Sequence, residues 1–170
     1  MPDKARRGMS PLLRFLLKLA VVAAVVLISF TFVLGLHIYH GNRMYPFIMD
    51  GDLLITYKLD AYREGDVVLY KNPLTGESTV SRIVAMGANE IEITKTGEVL
   101  VNGFNSSVQE IYPTYEFEGS GIKFPYTMGE DGILLLDDNR EAGIDSRVYG
   151  EVRKEAIKGK VVYVLRRRGF

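Results

Sequence analysis

Hydrophobic and polar positions divide this chain into two unlike parts. Residues 19–36 contain no charged residue and no proline, and the apolar segment reaches 21 residues when it is extended to residue 39. A helix that is apolar on every side usually lies in lipid, and about 20 residues cross a hydrocarbon core of about 30 Å. The pattern therefore predicts a transmembrane helix over residues 19–39 rather than a buried globular helix.

Positive charge precedes this apolar segment, with one opposing Asp3. The basic residues are Lys4, Arg6, Arg7, Arg14 and Lys18. The positive-inside rule makes residues 1–18 a cytoplasmic tail and residues 40–170 an extracellular domain. A cleavable signal peptide has a shorter apolar region of about 7–15 residues and an Ala-x-Ala-like site. We therefore predict an uncleaved, single-pass anchor in the cell membrane.

Beyond residue 50 the pattern changes to short runs of β-branched and aromatic residues separated by Gly, Asp and Pro. These runs predict strands, at residues 53–57, 66–70, 79–85, 90–94, 98–101, 132–136 and 160–165. Residues 104–128 have no clear period and predict a long excursion with one or two short strands. The fold class is mostly β: an N-terminal transmembrane helix and then an antiparallel β domain, either a sandwich or a partly open barrel.

Charge and rare residues exclude several function classes. The whole chain is neutral, but residues 41–170 carry 16 basic and 20 acidic residues, without a basic stripe that suits nucleic acid. The chain has no cysteine and two histidines, so the sequence offers no metal or cofactor site. A domain without disulfides is compatible with a Gram-positive surface protein.

Three separated motifs carry the candidate chemistry. The first is Gly41-Asn42-Arg43-Met44-Tyr45-Pro46-Phe47, followed by Gly51-Asp52; the second is Ser81-Arg82-Ile83-Val84-Ala85; the third runs from Asp137-Asp138-Asn139-Arg140 to Gly143 and Asp145-Ser146-Arg147. In this order and spacing they resemble the type I signal peptidases (peptidase S26). These are membrane-anchored Ser/Lys proteases that remove secretion signals.

The resemblance implies that the reactive residues are replaced. Arg43 stands where the family has its nucleophilic Ser, Ser81 where it has the Lys general base, and Gly143 where it has a Ser close to that base. Asp137 stands where the family has the leading Gly of the third motif. Arg has a pKa above about 12, so it acts neither as a nucleophile nor as a base at neutral pH. We therefore predict a pseudoenzyme without a catalytic residue.

Other motif residues match the family and predict a conserved scaffold role rather than chemistry. These structural residues are Gly51, Asp52, Asp138, Asn139, Arg140, Ser146 and Arg147. We expect the carboxylates to cap turns and to pair with arginines. We also expect Arg43 to meet a carboxylate or backbone carbonyls inside the former active site, because an unpaired buried charge is costly.

The family binds its substrates in extended form against exposed strand edges, so peptide binding could outlast catalysis. The predicted peptide or partner cleft comprises Met44, Tyr45, Pro46, Phe47, Ser81, Arg82 and Asp145. Core packing is the alternative for this apolar group, and Met44 and Phe47 could also be shared with the lipid bilayer.

Family members without the Ser/Lys pair, the SipA-type proteins of Gram-positive bacteria, act in pilus assembly. The resemblance therefore implies a non-catalytic accessory or chaperone protein whose partners are a pilin subunit, a pilin-specific sortase, or both. The alternatives are an active signal peptidase with a rearranged site, such as a Ser81–His40 pair, and a protein that modulates a genuine signal peptidase. The oligomeric state and the partner stay open.

Overall fold

The computed structural model describes residues 9–59, 61–108, 111–118, 120 and 122–166. Helix α1 covers Pro11–Ile28 and continues into a π-helical turn at Ser29–Val33. The Oγ atom of Ser10 accepts a hydrogen bond from the Leu13 amide at 3.3 Å, and Pro11 occupies the first helical position. Both are favoured at a helix start. Lys4, Arg6 and Arg7 of the predicted tail lie outside the described residues.

The apolar helix begins earlier and ends earlier than the predicted segment 19–39. The continuous helix spans Pro11–Val33 and is long and apolar enough to cross a membrane, and none of its most apolar window is buried within the protein. Strand β1 then occupies Leu34–Ile38 and pairs with β2. The sequence pattern placed these five residues in the helix because they are as apolar as the residues before them, and only strand pairing distinguishes them.

Two antiparallel sheets follow. The strands are β2 (Leu53–Tyr57), β3 (Val67–Lys71), β4 (Ser78–Met86), β5 (Glu90–Ile93), β6 (Val99–Val101), β7 (Phe104–Asn105), β8 (Tyr126–Thr127), β9 (Gly132–Leu136), β10 (Val152–Arg153) and β11 (Ile157–Leu165). The larger sheet has the order β1-β2-β11-β3-β4-β9-β10, and the smaller one β7-β6-β5-β8. Helix α2 is one turn, Ser146–Tyr149. The predicted fold class, mostly antiparallel β after an apolar helix, is confirmed, and the larger sheet is a curled half-barrel.

Strand β4 links the main cores because it contains a bulge. Its register against β9 shifts between Ile83 and Ala85, and a bulge re-aims the side chains that follow it. Ile83 packs in one core cluster with residues of β3 and β9, whereas Val84 and Ala85 pack in a second cluster against β5. Each large aliphatic side chain buried in these clusters stabilises the fold by about 1.5–3 kcal/mol. The first half of β4 is held in the larger sheet by its pairing with β3.

Candidate functional site

Three segments converge at the candidate site: the loop between β1 and β2, the first half of β4, and the segment that follows β9. Backbone hydrogen bonds join the two loops. The Asn139 amide donates to the Arg43 carbonyl at 2.8 Å, and the Asn139 side chain donates to the Asn42 carbonyl at 3.2 Å. The motifs that are far apart in the sequence are therefore brought together by direct contacts.

A chain of buried and partly buried polar side chains forms the centre of the site, and we call it the central network. It consists of Arg43, Tyr70, Ser81, Asp137 and Tyr149. Ser81 is fully buried; its hydroxyl donates to Asp137 Oδ1 and lies 3.2 Å from the Tyr70 hydroxyl. The Tyr70 and Tyr149 hydroxyls are 2.6 Å apart. Ser81 is thus surrounded by hydrogen-bond partners.

Asp137 is the member of the network whose acid–base behaviour changes near neutral pH. The pKa of Asp137 is raised from 3.8 to about 7, first by burial and then by the nearby Asp145, whereas Ser81 and Arg43 act to lower it. Burial also raises the pKa of Tyr70 and, more strongly, that of Tyr149. Desolvation disfavours the charged form of each group. The two phenols therefore stay protonated, whereas Asp137 changes charge near neutral pH.

Arg43 lies beside Asp137 with its side chain 27% exposed, but the contact is loose. Its Nε atom is 3.8 Å from Asp137 Oδ2, which is beyond hydrogen-bond distance, and its Nη2 atom donates to the Thr79 hydroxyl. Within the described residues, Asp137 Oδ2 has no hydrogen-bond partner. The expected carboxylate neighbour of Arg43 is thus Asp137 rather than Asp52, Asp138 or Asp145.

The absence of a side chain at Gly143 leaves the space that the Asp137 side chain occupies. A Cβ atom added at Gly143 would lie 2.7 Å from Asp137 Cβ and 2.8 Å from Asp137 Oδ2. Such distances are far inside van der Waals contact, so a serine at position 143 and the present Asp137 side chain exclude one another. The replacements at positions 137 and 143 therefore form one structural unit.

The shared-motif residues build a tight frame around the network. Arg82 donates two hydrogen bonds to Asp138, at 2.7 and 2.6 Å, and one to the Gly65 carbonyl at 2.8 Å. Arg147 donates from Nε and Nη2 to Asp145, at 2.9 and 3.0 Å. Asp52 caps a turn by accepting from the Met49 amide at 2.9 Å.

The remaining frame residues close the segment around β9. Arg140 donates to the Asp137 carbonyl at 2.6 Å, and the Ser146 hydroxyl accepts from the Leu135 amide at 3.0 Å. Gly51 has φ +83°, in the left-handed region that favours glycine, in the turn that leads into β2.

A cleft of about 260 Å³ lies between β1 and β4. We call it the β1–β4 cleft. Its walls are His37, Tyr39 and His40 on one side and residues of 72–79, including Ser78 and Thr79, on the other, and Arg43 contributes to the same lining. Both strands have open edges within the described chain: β1 pairs with β2 alone, and residues 78–81 pair with β3 alone because β9 joins β4 only from Arg82 onward.

The residues predicted to form the cleft are not brought together there. Met44 is fully buried in a core cluster, and Asp145 is buried at the start of α2. Ser81 belongs to the central network. Phe47 stacks against Arg82, with the guanidinium carbon 4.8 Å from the ring centroid, and both line separate shallow depressions. Tyr45 is exposed and Pro46 is half-buried. For Met44 the structure agrees with the alternative of core packing. The sequence leaves the two alternatives open because the alternation of buried and exposed positions within this loop has no regular period.

The imagined Ser81–His40 pair is not assembled. Ser81 is fully buried, whereas the His40 side chain is 78% exposed and lies 3.6 Å from Asp50. Lys158 donates to the Ser78 hydroxyl, but this contact is exposed and lies outside the family motifs. It lacks the apolar enclosure that a neutral lysine base requires.

Sequence reasoning missed Asp137 as the partner of both Arg43 and Ser81, and it did not assign Thr79, Tyr70 or Tyr149 to the site. One signal was present: Asp137 replaces the leading glycine of the third motif, which also has Gly143 in place of a Ser. Tyr70 carried no signal because it lies outside the three motifs, and Tyr149 matches the family only as a scaffold residue. Among the described residues, no group of three His, Cys, Asp or Glu side chains could hold a metal ion.

The family model and two similar relatives point to the same protein family. The family model described as "Signal peptidase, peptidase S26" matches residues 12–165. A signal peptidase I of Leptolyngbya laminosa is 26% identical over 165 residues, which cover 90% of this chain and 79% of the relative. A signal peptidase IB of Staphylococcus aureus is 25% identical over 172 residues, which cover 89% and 88%.

Solved structures agree at the level of fold. The crystal structure of a signal peptidase I from Enterococcus faecalis superposes with a TM-score of 0.51 at 20% identity, covering 61% of this chain and 98% of that one. This identity is low, so the likeness concerns the arrangement of strands alone.

Proposed function

The chain belongs to the signal peptidase family, peptidase S26, and we propose that within it the protein is a non-catalytic, membrane-anchored accessory protein. Its role is to assist sortase-mediated assembly of a surface polymer such as a pilus. The apolar helix Pro11–Val33 is the anchor, with Arg14 and Lys18 on its cytoplasmic side by the positive-inside rule. The β domain then lies outside the membrane.

One observation supports the proposed loss of catalysis: the two positions that match the reactive residues hold Arg43 and Ser81, and both side chains contact Asp137. Arg43 faces Asp137 at 3.8 Å, and Ser81 donates to the same carboxyl group. A Ser/Lys mechanism needs a hydroxyl nucleophile and a neutral lysine within hydrogen-bond reach of it. Neither group is present at the matching positions.

The β1–β4 cleft supports a binding role in the absence of chemistry. Its two open strand edges offer backbone hydrogen-bond groups to an extended peptide, a recognition mode that needs no catalytic residue. The resemblance supplies the candidates for that peptide: a segment of a pilin subunit or of a pilin-specific sortase. Holding such a segment close to the membrane would present it for polymerisation.

The catalytic part of the proposal is tested with the full-length protein in detergent micelles and a preprotein that an active signal peptidase cleaves. We expect no cleavage above background, while the active enzyme in the same micelles processes the substrate. The Ser81→Ala variant should behave as the unaltered chain does. Cleavage by the unaltered chain that Ser81→Ala abolishes would overturn the proposal.

The assembly part is tested in the native host by deleting the gene and restoring it in trans. We expect the ladder of high-molecular-weight pilin polymers on a denaturing gel to be lost on deletion and to return with either the unaltered chain or Ser81→Ala. A photo-crosslinking residue at Thr75, in the lining of the β1–β4 cleft, should capture pilin or sortase. Capture of a second signal peptidase instead would favour the modulator hypothesis.

A second candidate is an active peptidase with a rearranged site, and one observation favours it. Asp137 accepts a hydrogen bond from the Ser81 hydroxyl and has a pKa of about 7, which is suitable for a general base at neutral pH. The full burial of Ser81 opposes this candidate, because a nucleophile must reach a scissile carbonyl. The comparison of Ser81→Ala with the unaltered chain in the cleavage assay decides between the two.

A further inference from the structure

The β1–β4 cleft has a defined electrostatic character in addition to its open strand edges. Glu77 is its acidic lining residue and Arg43 its permanently cationic one. His37 and His40 also line it, and burial lowers the pKa of His37, so this imidazole is neutral at neutral pH. Asp137 is fully buried behind Arg43 and does not line the cleft. Lys158, which donates to the Ser78 hydroxyl at the cleft wall, adds a further positive charge nearby. A bound peptide therefore meets more positive than negative charge.

In the part of the chain that the structure describes, the Arg43 side chain makes fewer hydrogen bonds to carboxylates than Arg82 and Arg147 do. Arg82 and Arg147 each donate two hydrogen bonds to one carboxylate, at 2.6–3.0 Å. Within the described residues, Arg43 donates one hydrogen bond, to the uncharged Thr79 hydroxyl, and its ion pair with Asp137 is 3.8 Å long. A guanidinium has five N–H donors in a planar fork that fits a carboxylate. Most of the Arg43 fork is thus available in the cleft.

The position of Arg43 restricts what it can bind. Thr79 lies on the half of β4 whose edge is open, and Arg43 bonds to its side chain. A peptide added along that edge would pass directly over the guanidinium. The residue that lies there would gain a charge-assisted hydrogen bond if it carried a carboxylate, whereas a neutral residue would gain a weaker one.

We infer that the β1–β4 cleft binds an extended peptide that places a carboxylate, from an acidic side chain or from its C-terminus, against Arg43. This inference rests on the binding role proposed above and specifies its ligand. Arg43 then has a function of its own, since it converts a site that cleaves a neutral peptide bond into one that holds an acidic peptide. Steric blockage of the cleft by Arg43 is the competing explanation.

The test measures binding of four peptides, each with an uncharged BODIPY label at the N-terminus, to the full-length protein in detergent micelles by fluorescence anisotropy. All have the sequence Thr-Val-Ser-Thr-X-Thr-Val-Ser-Thr, with X either Glu or Gln and with either a free or an amidated C-terminus. We expect the Glu acid and one of the two single-carboxylate peptides to bind about 10- to 100-fold more tightly than the peptide with no carboxylate, the range for a hydrogen bond to a charged group. The Glu amide and the Gln acid distinguish a side-chain carboxylate from a C-terminal one.

Variants separate recognition by Arg43 from general charge. Arg43→Gln should bind all four peptides with equal affinity. Arg43→Lys, which keeps the positive charge beside Asp137, should retain only part of the preference. The matched control Arg63→Gln removes an exposed arginine outside the cleft lining and should leave the preference unchanged. Circular dichroism of each variant confirms that it is folded.

Two results would overturn the inference: equal binding or no binding of the four peptides by the unaltered chain, or a preference that persists in folded Arg43→Gln. Neither result affects the absence of cleavage or the loss of pilin polymers on deletion, which test the proposed function separately. Conversely, cleavage of a preprotein would end the proposed function while leaving a measured carboxylate preference intact.

Discussion

Buried charges occur in two regions at this end of the larger sheet, and they differ in how completely they are hydrogen-bonded. In the frame, Arg82 meets Asp138 and Arg147 meets Asp145 through paired hydrogen bonds of 2.6–3.0 Å. In the central network, Arg43 and Asp137 approach only to 3.8 Å, and within the described residues one oxygen of Asp137 has no hydrogen bond. We therefore expect changes in the frame to alter mainly the stability of the fold. We expect the charged groups of the central network to respond to bound ligands and to pH.

This difference also explains why the replacements at the centre come as a set. Ser81 and Arg43 both contact Asp137, and Asp137 needs the space that Gly143 leaves open. Changing one of the four residues leaves a clash, a cavity or an unpaired charge in a buried site. The following predictions break this set or the frame, from the largest expected effect to the smallest.

Restoring catalysis should require all four positions. In the double variant Arg43→Ser with Ser81→Lys, the new lysine would lie beside Asp137, and this carboxylate would keep it charged and unable to act as a base. We expect no cleavage from the double variant. Adding Asp137→Gly and Gly143→Ser should raise the cleavage rate by roughly 10²-fold or more, a usual contribution of a positioned general base.

The measurement is the rate of preprotein cleavage in detergent micelles, with the two-residue variant Asp137→Gly and Gly143→Ser as the control for the added changes. Equal rates for the double and the quadruple variants would show that Asp137 and Gly143 are not what prevents catalysis.

Breaking the frame should cost more stability than any change at the surface. Asp145→Ala leaves the buried Arg147 guanidinium without its carboxylate, and the loss of one partner of a buried pair costs about 3–5 kcal/mol of the free energy of unfolding. Chemical denaturation followed by circular dichroism measures it. The matched control Glu116→Ala, at an exposed position, should change the free energy by less than about 0.5 kcal/mol. A loss below about 1 kcal/mol for Asp145→Ala would remove the distinction between frame and centre.

Asp137 should make the protein less stable as pH rises. Its folded-state pKa, about 7, is above the ordinary 3.8, so the folded chain binds more protons than the unfolded chain between these values. The free energy of unfolding therefore falls as pH increases from about 4 to 7, by up to about 4 kcal/mol at about 1.4 kcal/mol per unit of pKa shift. Asp137→Asn should abolish this fall.

The pH dependence is measured as the difference in the free energy of unfolding between the unaltered chain and Asp137→Asn at pH 4, 5, 6, 7 and 8. The subtraction removes the contribution of His37, whose pKa is lowered by burial and then by His40 and Lys158. A difference that does not vary with pH would mean that Asp137 does not titrate in this range.

The smallest predicted change in the free energy of unfolding is for Phe47, which contacts Arg82 at the edge of the frame. Phe47 is 53% exposed, and its ring lies 4.8 Å from the Arg82 guanidinium carbon. Cation–π contacts at exposed sites contribute about 0.5–1 kcal/mol. Phe47→Ala should lower the free energy of unfolding by about this amount, and Phe47→Tyr should not. Equal losses in both variants would show that an aromatic ring at position 47 is not what stabilises this contact.

The strands were predictable to the extent that each has a local pattern. Residues 53–57 and 132–136 were located correctly because β-branched and aliphatic runs bounded by polar residues favour a strand by themselves. Leu34–Ile38 was assigned to the helix, since an apolar run has no local mark that separates a membrane helix from a paired strand. Whether these residues pair depends on β2, which is 15 residues further along the chain.

The site was predictable in its chemistry but not in its contacts. Arg43 and Ser81 could be identified as replacements because the surrounding motifs fix their positions. The contacts of Asp137 with Arg43 and Ser81, of Thr79 with Arg43 and of Phe47 with Arg82 are long-range. They join residues 35 to 94 positions apart. A sequence pattern reports on neighbours three or four residues away and carries no such information.

The amino-acid sequence by itself determined the mostly β class, the apolar N-terminal helix and the identity of the groups at the reactive positions, because these follow from local residue preference and from motif spacing. The tertiary structure alone decided that those groups form a partly satisfied buried network beside an open-edged cleft. The physical reason is that burial and the distance between charges set both the pKa of Asp137 and the availability of Arg43, and these quantities exist only once the strands are packed.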